Sequence, residues 1–169
     1  MNQVPQWKRI AAAAALSLAA LGTAWAGVNK DLPADDFTLA PALGGKAVSL
    51  SQFKGKPTVV VFWATWCPPC RREVPLLKDL HKKYSAKGLQ MLAVAVNFRE
   101  TRDQVVQFAN DNELPYTVLW DADNAVSEHY GVQGIPTVLL IDPQGVIRYR
   151  SHSLDDSFIS LVEKYTAAK

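Results

Sequence analysis

After residue 36 the chain alternates between short, almost wholly apolar segments and longer segments whose apolar residues are spaced as on one face of a helix. Residues 58–63 read TVVVFW, which predicts a strand covered on both faces of a sheet. Residues 73–84 place apolar side chains three or four positions apart, which predicts a helix. The same patterns predict further strands over 89–96, 116–119, 138–141 and 146–150, and further helices over 101–110, 125–130 and 155–165.

A small hairpin is predicted ahead of this alternation. Residues 37–39 and 47–50 flank Gly44 and Gly45, which suit a tight turn. Residues 27–34 are polar and turn-rich, so they are predicted to be a linker. The sequence therefore predicts one three-layer α/β domain over residues 35–169, closed by a hairpin and a final helix.

The first 26 residues have the pattern of an export signal. Lys8 and Arg9 precede an apolar run over residues 10–21, and Ala24-Trp25-Ala26 supplies an A-x-A cleavage site. The run is short of the roughly 20 residues that cross a bilayer. We therefore expect a cleaved signal peptide and a periplasmic domain, the alternative being an uncleaved signal that anchors the protein to the inner membrane.

Composition excludes several classes of protein. The 169 residues are 49% hydrophobic and 20% charged, which is typical of a globular domain and unlike collagen or a disordered chain. Two cysteines are too few for a disulfide-dense fold or a four-cysteine zinc site. The net charge is +2 and becomes zero once Lys8 and Arg9 are removed. A neutral domain has no overall field to attract nucleic acid.

The candidate chemistry lies at Cys67-Pro68-Pro69-Cys70, between the TVVVFW strand and the following helix. As a structural staple, so short a loop contributes only about 2 kcal/mol in the chain-entropy model. As half of a zinc site, the pair needs further soft ligands, and the three histidines have no ligand spacing relative to it. Each histidine is interpreted as a surface or packing residue: His81, His129 and His152. A redox pair is the favoured interpretation.

The position of the motif predicts how the two thiols divide their work. Cys67 at the helix tip is favoured as a thiolate by the helix dipole and spare N–H groups, whereas Cys70 lies one turn further in. Cys67 is thus predicted to attack and Cys70 to resolve. Pro68 and Pro69 lack N–H groups, which leaves chiefly the Cys70 N–H as a donor. A modestly stabilised thiolate favours a reductant over a strong oxidant.

Residues 63–73 (WATWCPPCRRE), followed by Pro75, resemble the active-site segment of the thioredoxin superfamily, and residues 134–137 (GIPT) resemble its cis-proline loop. The N-terminal hairpin, the additional strand–helix unit within residues 89–130 and the signal peptide are similar to the exported TlpA/ResA-type branch, which includes cytochrome c maturation thioredoxins. The resemblance implies a thioredoxin fold, with a central mixed sheet, helices on both faces and an inserted strand–helix unit.

The same resemblance assigns substrate contacts. It implies a cis bond before Pro136, with the backbone of Ile135 facing the substrate beside the disulfide. It places Trp66 and Pro68 against the partner protein, although a packing role explains Trp66 equally well. Pro75 matches the proline that kinks the active-site helix of the family.

Two positions bear on proton transfer. Glu73 matches an acidic residue that this branch places near the active site, which implies proton transfer at Cys70. An ordinary first-turn glutamate, favoured by the helix dipole, is the alternative interpretation of Glu73. Val61 occupies the strand position at which cytosolic thioredoxin has a buried acid, so Glu73 is the candidate to replace that acid.

The expected function is a periplasmic protein thiol–disulfide oxidoreductase that reduces disulfides through Cys67 and Cys70. The resemblance implies protein substrates, among them apocytochrome c, and a membrane thiol-transfer protein as electron donor. We expect a monomer without cofactor, metal or nucleic acid.

Three alternatives remain open. Oxidative folding would run the same chemistry in the opposite direction. A thiol peroxidase is disfavoured because the Thr or Ser and the Pro that it requires before its cysteine are replaced by Ala64 and Val60. A copper carrier is disfavoured because no histidine or methionine lies near the cysteine pair in the sequence.

Overall fold

A computed structural model of the chain describes residues 30–167, so the predicted signal peptide lies outside the described residues. The strands are β1 (Thr38–Pro41), β2 (Val48–Ser49), β3 (Thr58–Trp63), β4 (Gln90–Val96), β5 (Thr117–Asp121), β6 (Thr137–Ile141) and β7 (Ile147–Ser151). The α-helices are α1 (Pro68–Tyr84), α2 (Arg102–Asp111), α3 (Ala125–His129) and α4 (Asp156–Thr166). Within residues 30–167, no helix combines the length and the apolar character needed to cross a bilayer.

The seven strands form one mixed sheet in the order β2-β1-β5-β4-β3-β6-β7. Strands β3, β4 and β5 run parallel, whereas β6 pairs antiparallel with β3 and β1 pairs antiparallel with β5. All six residues of β3 are buried, as expected for an apolar strand with neighbours on both sides and layers above and below. The predicted α/β class and mixed central sheet are confirmed.

Helix α1 begins at Pro68, earlier than the apolar spacing alone predicts. Cys67 is the N-cap residue, and Pro68 and Pro69 fill the first two helical positions. Proline suits this turn because its fixed φ is helical and its missing N–H has no partner there in any case. The first turn carries no apolar repeat, so the hydrophobic pattern detects the helix only from the next turn onward. Pro75 lies inside α1, as the resemblance implies.

The N-terminal part of the domain follows the prediction in outline. Strands β1 and β2 pair antiparallel, but β2 covers only two residues because the chain turns into a 3₁₀ helix at Leu50–Phe53. Residues 31–34, within the segment predicted as a linker, are hydrogen-bonded to the chain around β7: Asp31 N lies 2.7 Å from Ile147 O and Ala34 N lies 2.8 Å from Gly145 O. This part of the segment is therefore joined to the sheet edge.

An aromatic cluster joins β3 to the segment before β1. Phe62 is fully buried, and its ring centroid lies 5.7 Å from that of Tyr130. Phe37 also packs against Tyr130, edge-on, with the ring centroids 5.8 Å apart. The Tyr130 hydroxyl donates a hydrogen bond to the carbonyl of Asp35, which satisfies the one polar group of the cluster. This packing fixes β3, and with it the segment that leads to Cys67.

Candidate active site

The two cysteines lie where the central strand β3 leads into α1. Cys67 and Cys70 form a disulfide, with their Cα atoms 5.3 Å apart. The carboxyl ends of β3 and its parallel neighbour β4 meet at this edge, which is where α/β sheets commonly place their reactive groups. Among residues 30–167, no group of three histidine, cysteine or acidic side chains is arranged to hold a metal ion.

One backbone donor is directed at the first sulfur. The Cys67 Sγ accepts a hydrogen bond from the Cys70 N–H at 3.2 Å. Pro68 and Pro69 precede this donor in the first helical turn and have no N–H of their own. The following arginines are exposed, and the guanidinium of Arg71 lies 5.7 Å from the ring centre of Phe108. Within the first helical turn, the groups that favour a Cys67 thiolate are therefore the helix dipole and a single N–H.

The two cysteines are almost equally buried, but they line different cavities. In the disulfide, Cys67 is 2% exposed and Cys70 is 3% exposed. Cys67 lines an open groove of about 520 Å³ on the surface. Cys70 instead lines a very small apolar cavity behind the disulfide, together with Val61 and Leu77. A partner therefore has access to Cys67 from the groove, while Cys70 faces the core.

The cis-proline loop, residues 134–137, forms the wall of the groove beside Cys67. The Ile135–Pro136 bond is cis, and the carbonyl oxygen of Ile135 lies 3.6 Å from the Cys67 Sγ. The hydroxyl of Thr137 donates to the Gly134 carbonyl at 2.6 Å, which closes the loop on itself. The structure thus brings Ile135 and Pro136 to Cys67, as the resemblance implies.

A pair of exposed aromatic residues borders the groove on another side. Trp66 is 43% exposed and Phe98 is 54% exposed, and their ring centroids lie 5.9 Å apart. The indole N–H of Trp66 donates to the Phe98 carbonyl at 2.7 Å. The guanidinium of Arg99 lies 5.3 Å from the Phe98 ring centre. Large exposed apolar surface next to a reactive group is typical of a partner-binding site, and the sequence analysis identified Trp66 but not Phe98.

Glu100 connects this border to the segment before Cys67. It is 7% exposed, and its Oε1 accepts hydrogen bonds from the Thr65 N–H, at 2.8 Å, and from the Thr65 hydroxyl. Its other oxygen, Oε2, is buried without a partner among the described residues. Burial raises the pKa of Glu100, and the two bonds from Thr65 oppose this effect. Glu100 was missed by the sequence analysis, although an acid just after a parallel strand next to β3 was a usable signal.

Glu73 lies in α1 one turn after Cys70 and is partly buried. Burial raises the pKa of its carboxyl, and the backbone N–H of Leu154 and the charge of Arg72 oppose that rise. One of its oxygens, Oε2, is buried without a partner among the described residues. Val61 is buried at the strand position discussed above, so β3 supplies no acid there. Glu73 is therefore a partly buried acid, one helical turn after Cys70, that holds its proton more tightly than usual.

The raised pKa of Glu100 predicts a specific dependence of stability on pH. The folded protein binds this proton more tightly than the unfolded chain, so the free energy of unfolding falls as pH rises from 4.5 through the raised pKa. Glu100→Gln keeps an acceptor for Thr65 and removes the buried charge. We expect the variant to be the more stable protein at pH 7, with the advantage disappearing below pH 4.5, in urea unfolding measured across pH. Parallel pH profiles for the two proteins would contradict this origin.

Comparison with known proteins identifies the family of this chain. Residues 28–150 match the AhpC/TSA family. The chain belongs to this family. It is 32% identical over 133 residues to the thiol-disulfide oxidoreductase ResA of Bacillus subtilis, covering 78% of this chain and 73% of ResA. It is 36% identical over 130 residues to the thiol:disulfide interchange protein DsbE of Vibrio cholerae, covering 73% of this chain and 67% of DsbE.

A solved structure of a thiol:disulfide interchange protein of the thioredoxin family from Chlorobium tepidum is also similar. It superposes with a TM-score of 0.71 at 28% identity, covering 82% of this chain and 98% of that one. With the Cys67–Cys70 disulfide at the groove, this AhpC/TSA family member is a protein thiol–disulfide oxidoreductase. The resemblance to the thioredoxin superfamily and its TlpA/ResA-type branch is confirmed.

Proposed function

We propose that the protein reduces disulfides of exported polypeptides in the periplasm, with Cys67 as the attacking cysteine and Cys70 as the resolving one. The Cys67 thiolate attacks one sulfur of a substrate disulfide, which forms a mixed disulfide and releases the other substrate sulfur as a thiolate that takes up a proton. The Cys70 thiol then loses its proton and attacks the Cys67 Sγ. This step breaks the mixed disulfide, forms the Cys67–Cys70 bond and passes two electrons in total to the substrate.

The observation that carries this direction of electron flow is the sparse hydrogen bonding of the Cys67 Sγ. Only the Cys70 N–H donates to it in the first helical turn, because Pro68 and Pro69 have no N–H. A strongly oxidising pair requires a strongly stabilised thiolate in the reduced form. One donor and the helix dipole stabilise that thiolate modestly, so the dithiol gives up its electrons more readily.

The groove supports a polypeptide as the substrate. The carbonyl of Ile135, held beside the Cys67 sulfur, is placed to accept a hydrogen bond from an extended substrate segment. Pro68 lines the same groove, and Trp66 borders it with an exposed ring that can cover apolar side chains of the partner. In this proposal Trp66, Pro68, Ile135 and Pro136 bind the substrate on either side of the reacting disulfide.

We assign the proton that leaves Cys70 to Glu73. The raised pKa of Glu73 brings it closer to the pH at which a carboxylate can accept a proton from a thiol and return it. Its place in α1, one turn after Cys70, supports this role, since β3 carries Val61 in place of an acid. The catalytic set is then Cys67, Cys70 and Glu73.

The remaining parts of the proposal concern the partners. The oxidised pair has to be reduced again by a dithiol donor, for which we propose a membrane thiol-transfer protein on the periplasmic side. Apocytochrome c is the proposed substrate, on the resemblance to cytochrome c maturation thioredoxins. The sequence pattern of residues 1–26 supports export, and the protein is proposed to act as a monomer.

The test is a reduction potential measured together with activity. Equilibration of the Cys67/Cys70 pair against glutathione and dithiothreitol buffers gives the potential, and insulin precipitation gives the reductase activity. We expect a potential nearer to the thioredoxin value of about −270 mV than to the DsbA value of about −120 mV. A potential near the DsbA value would overturn the proposed direction and assign the protein to oxidative folding. The double variant Cys67→Ser/Cys70→Ser is the inactive control.

A further inference from the structure

His152 contacts the cis-proline loop through its imidazole ring. It follows β7, and its Nδ1 lies 2.8 Å from the Pro136 carbonyl oxygen and 3.4 Å from the Thr137 hydroxyl oxygen. Its imidazole also lies next to Gly134, since a methyl group built there would be 3.7 Å from the His152 Cε1. The ring therefore contacts Pro136 and Thr137 directly and lies close to the space beside Gly134.

The chemistry of these contacts fixes which atom donates. A carbonyl oxygen only accepts hydrogen bonds, so the 2.8 Å contact requires a proton on the His152 Nδ1. The Thr137 hydroxyl uses its own proton on the Gly134 carbonyl at 2.6 Å. Thr137 Oγ1 can then accept a second, longer hydrogen bond from the same His152 Nδ1–H. The imidazole and the hydroxyl form one short chain of hydrogen bonds that spans the loop from end to end.

We propose that His152 is a positioning residue for substrate binding, which holds the cis-proline loop so that the Ile135 carbonyl stays directed into the groove. Ile135 lies between Pro136, whose carbonyl oxygen is hydrogen-bonded to His152, and Gly134, whose carbonyl oxygen accepts from Thr137. Its carbonyl oxygen is 3.6 Å from the Cys67 Sγ, so a shift of the loop moves the substrate-binding backbone relative to the attacking sulfur. This inference rests on the proposed function, because it assigns the loop to substrate binding.

The proposed role of the loop predicts different effects on protein substrates and on small disulfides. A protein disulfide binds through backbone contacts to Ile135 as well as through its sulfur atoms. A small disulfide such as hydroxyethyl disulfide meets Cys67 without an extended backbone, so its reaction depends on the cysteines alone. Loss of the His152 bond is thus expected to weaken binding of proteins and to leave the reaction of small disulfides unchanged.

The test compares His152→Ala and His152→Asn with the wild-type protein on both substrates. For insulin we expect His152→Ala to raise KM about 2- to 10-fold, the range of one neutral hydrogen bond, with kcat unchanged. Asparagine places an amide N–H close to the position of Nδ1–H, so His152→Asn is expected to restore most of the wild-type KM. The reaction with hydroxyethyl disulfide is expected to proceed at the wild-type rate in both variants.

Ser153→Ala changes the next residue in the same exposed loop and is the matched control, with wild-type kinetics expected. A His152→Ala variant with the wild-type KM for insulin would overturn the inference, as would an asparagine variant that behaves like the alanine variant. Equal slowing with both substrates would also overturn it, since the effect would then lie at the cysteines or in the fold. Wild-type protein that reduces neither insulin nor hydroxyethyl disulfide would overturn the proposed function instead.

Discussion

A Cys70→Ala variant is expected to accumulate as a covalent mixed disulfide between Cys67 and its partner protein. In the wild-type protein the Cys70 thiol attacks within the same molecule, where well-oriented groups act at effective concentrations of about 10⁵ M or more. Removal of Cys70 leaves only external thiols at millimolar concentration, so release of the substrate is expected to slow by at least about 10³-fold. Purification under non-reducing conditions, followed by mass spectrometry of the trapped species, measures the result and identifies the partner.

The control is the opposite variant, Cys67→Ala. The remaining Cys70 lines the small apolar cavity on the core side of the disulfide, whereas the groove is lined by Cys67. Cys67→Ala is therefore expected to trap little or no partner under the same conditions. Equal trapping by the two variants would contradict the assigned order of attack, while leaving the oxidoreductase class intact.

Sequence patterns identified the central strand and the redox motif because local chemistry determines both. A continuous apolar strand such as residues 58–63 is stable when it has sheet partners on both edges and packed layers on both faces. Strand β3 has neighbours on both edges, and all of its residues are buried. The start of α1 was harder to predict, because Pro68 and Pro69 fit the first helical turn but add nothing to an apolar repeat. Motif position, rather than periodicity, located Cys67 at the helix tip.

Two residues whose contacts around the active site the sequence analysis did not predict lie far from the motif in the chain and are brought there by the sheet. Glu100 follows β4, and its contact with Thr65 exists because β4 runs parallel to β3 and ends at the same edge. His152 follows β7 and reaches the cis-proline loop because β7 pairs with β6, the strand that starts at the end of this loop. A lone histidine without ligand spacing carries no signal of this kind, so its contact with Pro136 is visible only in three dimensions.

These placements give the active site two kinds of support. The cysteines depend on β3 and α1, whose positions are set by core packing around Phe62. The walls of the groove depend on single side-chain hydrogen bonds from loops, such as that of Trp66 to the Phe98 carbonyl. Changes in the core should therefore act on stability, and changes in the walls should act on substrate binding at constant stability.

A pair of identical substitutions separates these two kinds of support. Phe62 is fully buried in β3 and Phe98 is 54% exposed at the groove, so Phe→Ala deletes the same ring in opposite environments. Phe62→Ala is expected to lower the free energy of unfolding by about 3–5 kcal/mol, through lost transfer energy and the cavity left beside Tyr130. Phe98→Ala is expected to change it by less than about 0.5 kcal/mol. Urea unfolding of the three proteins measures both values.

For catalysis we expect the opposite order, with the larger effect from the exposed Phe98 and the smaller from the buried Phe62. Phe98→Ala keeps the backbone carbonyl that accepts the Trp66 indole bond but removes the exposed ring beside it, so kcat/KM for insulin should fall about 5- to 10-fold, the equivalent of one aromatic contact. Folded Phe62→Ala, assayed well below its unfolding midpoint, should retain kcat/KM because Phe62 does not line the groove and every residue that lines it is kept. A Phe98→Ala variant with full activity on insulin would remove the aromatic border from the substrate site. A Phe62→Ala variant as stable as the wild type would mean that β3 does not depend on this cluster.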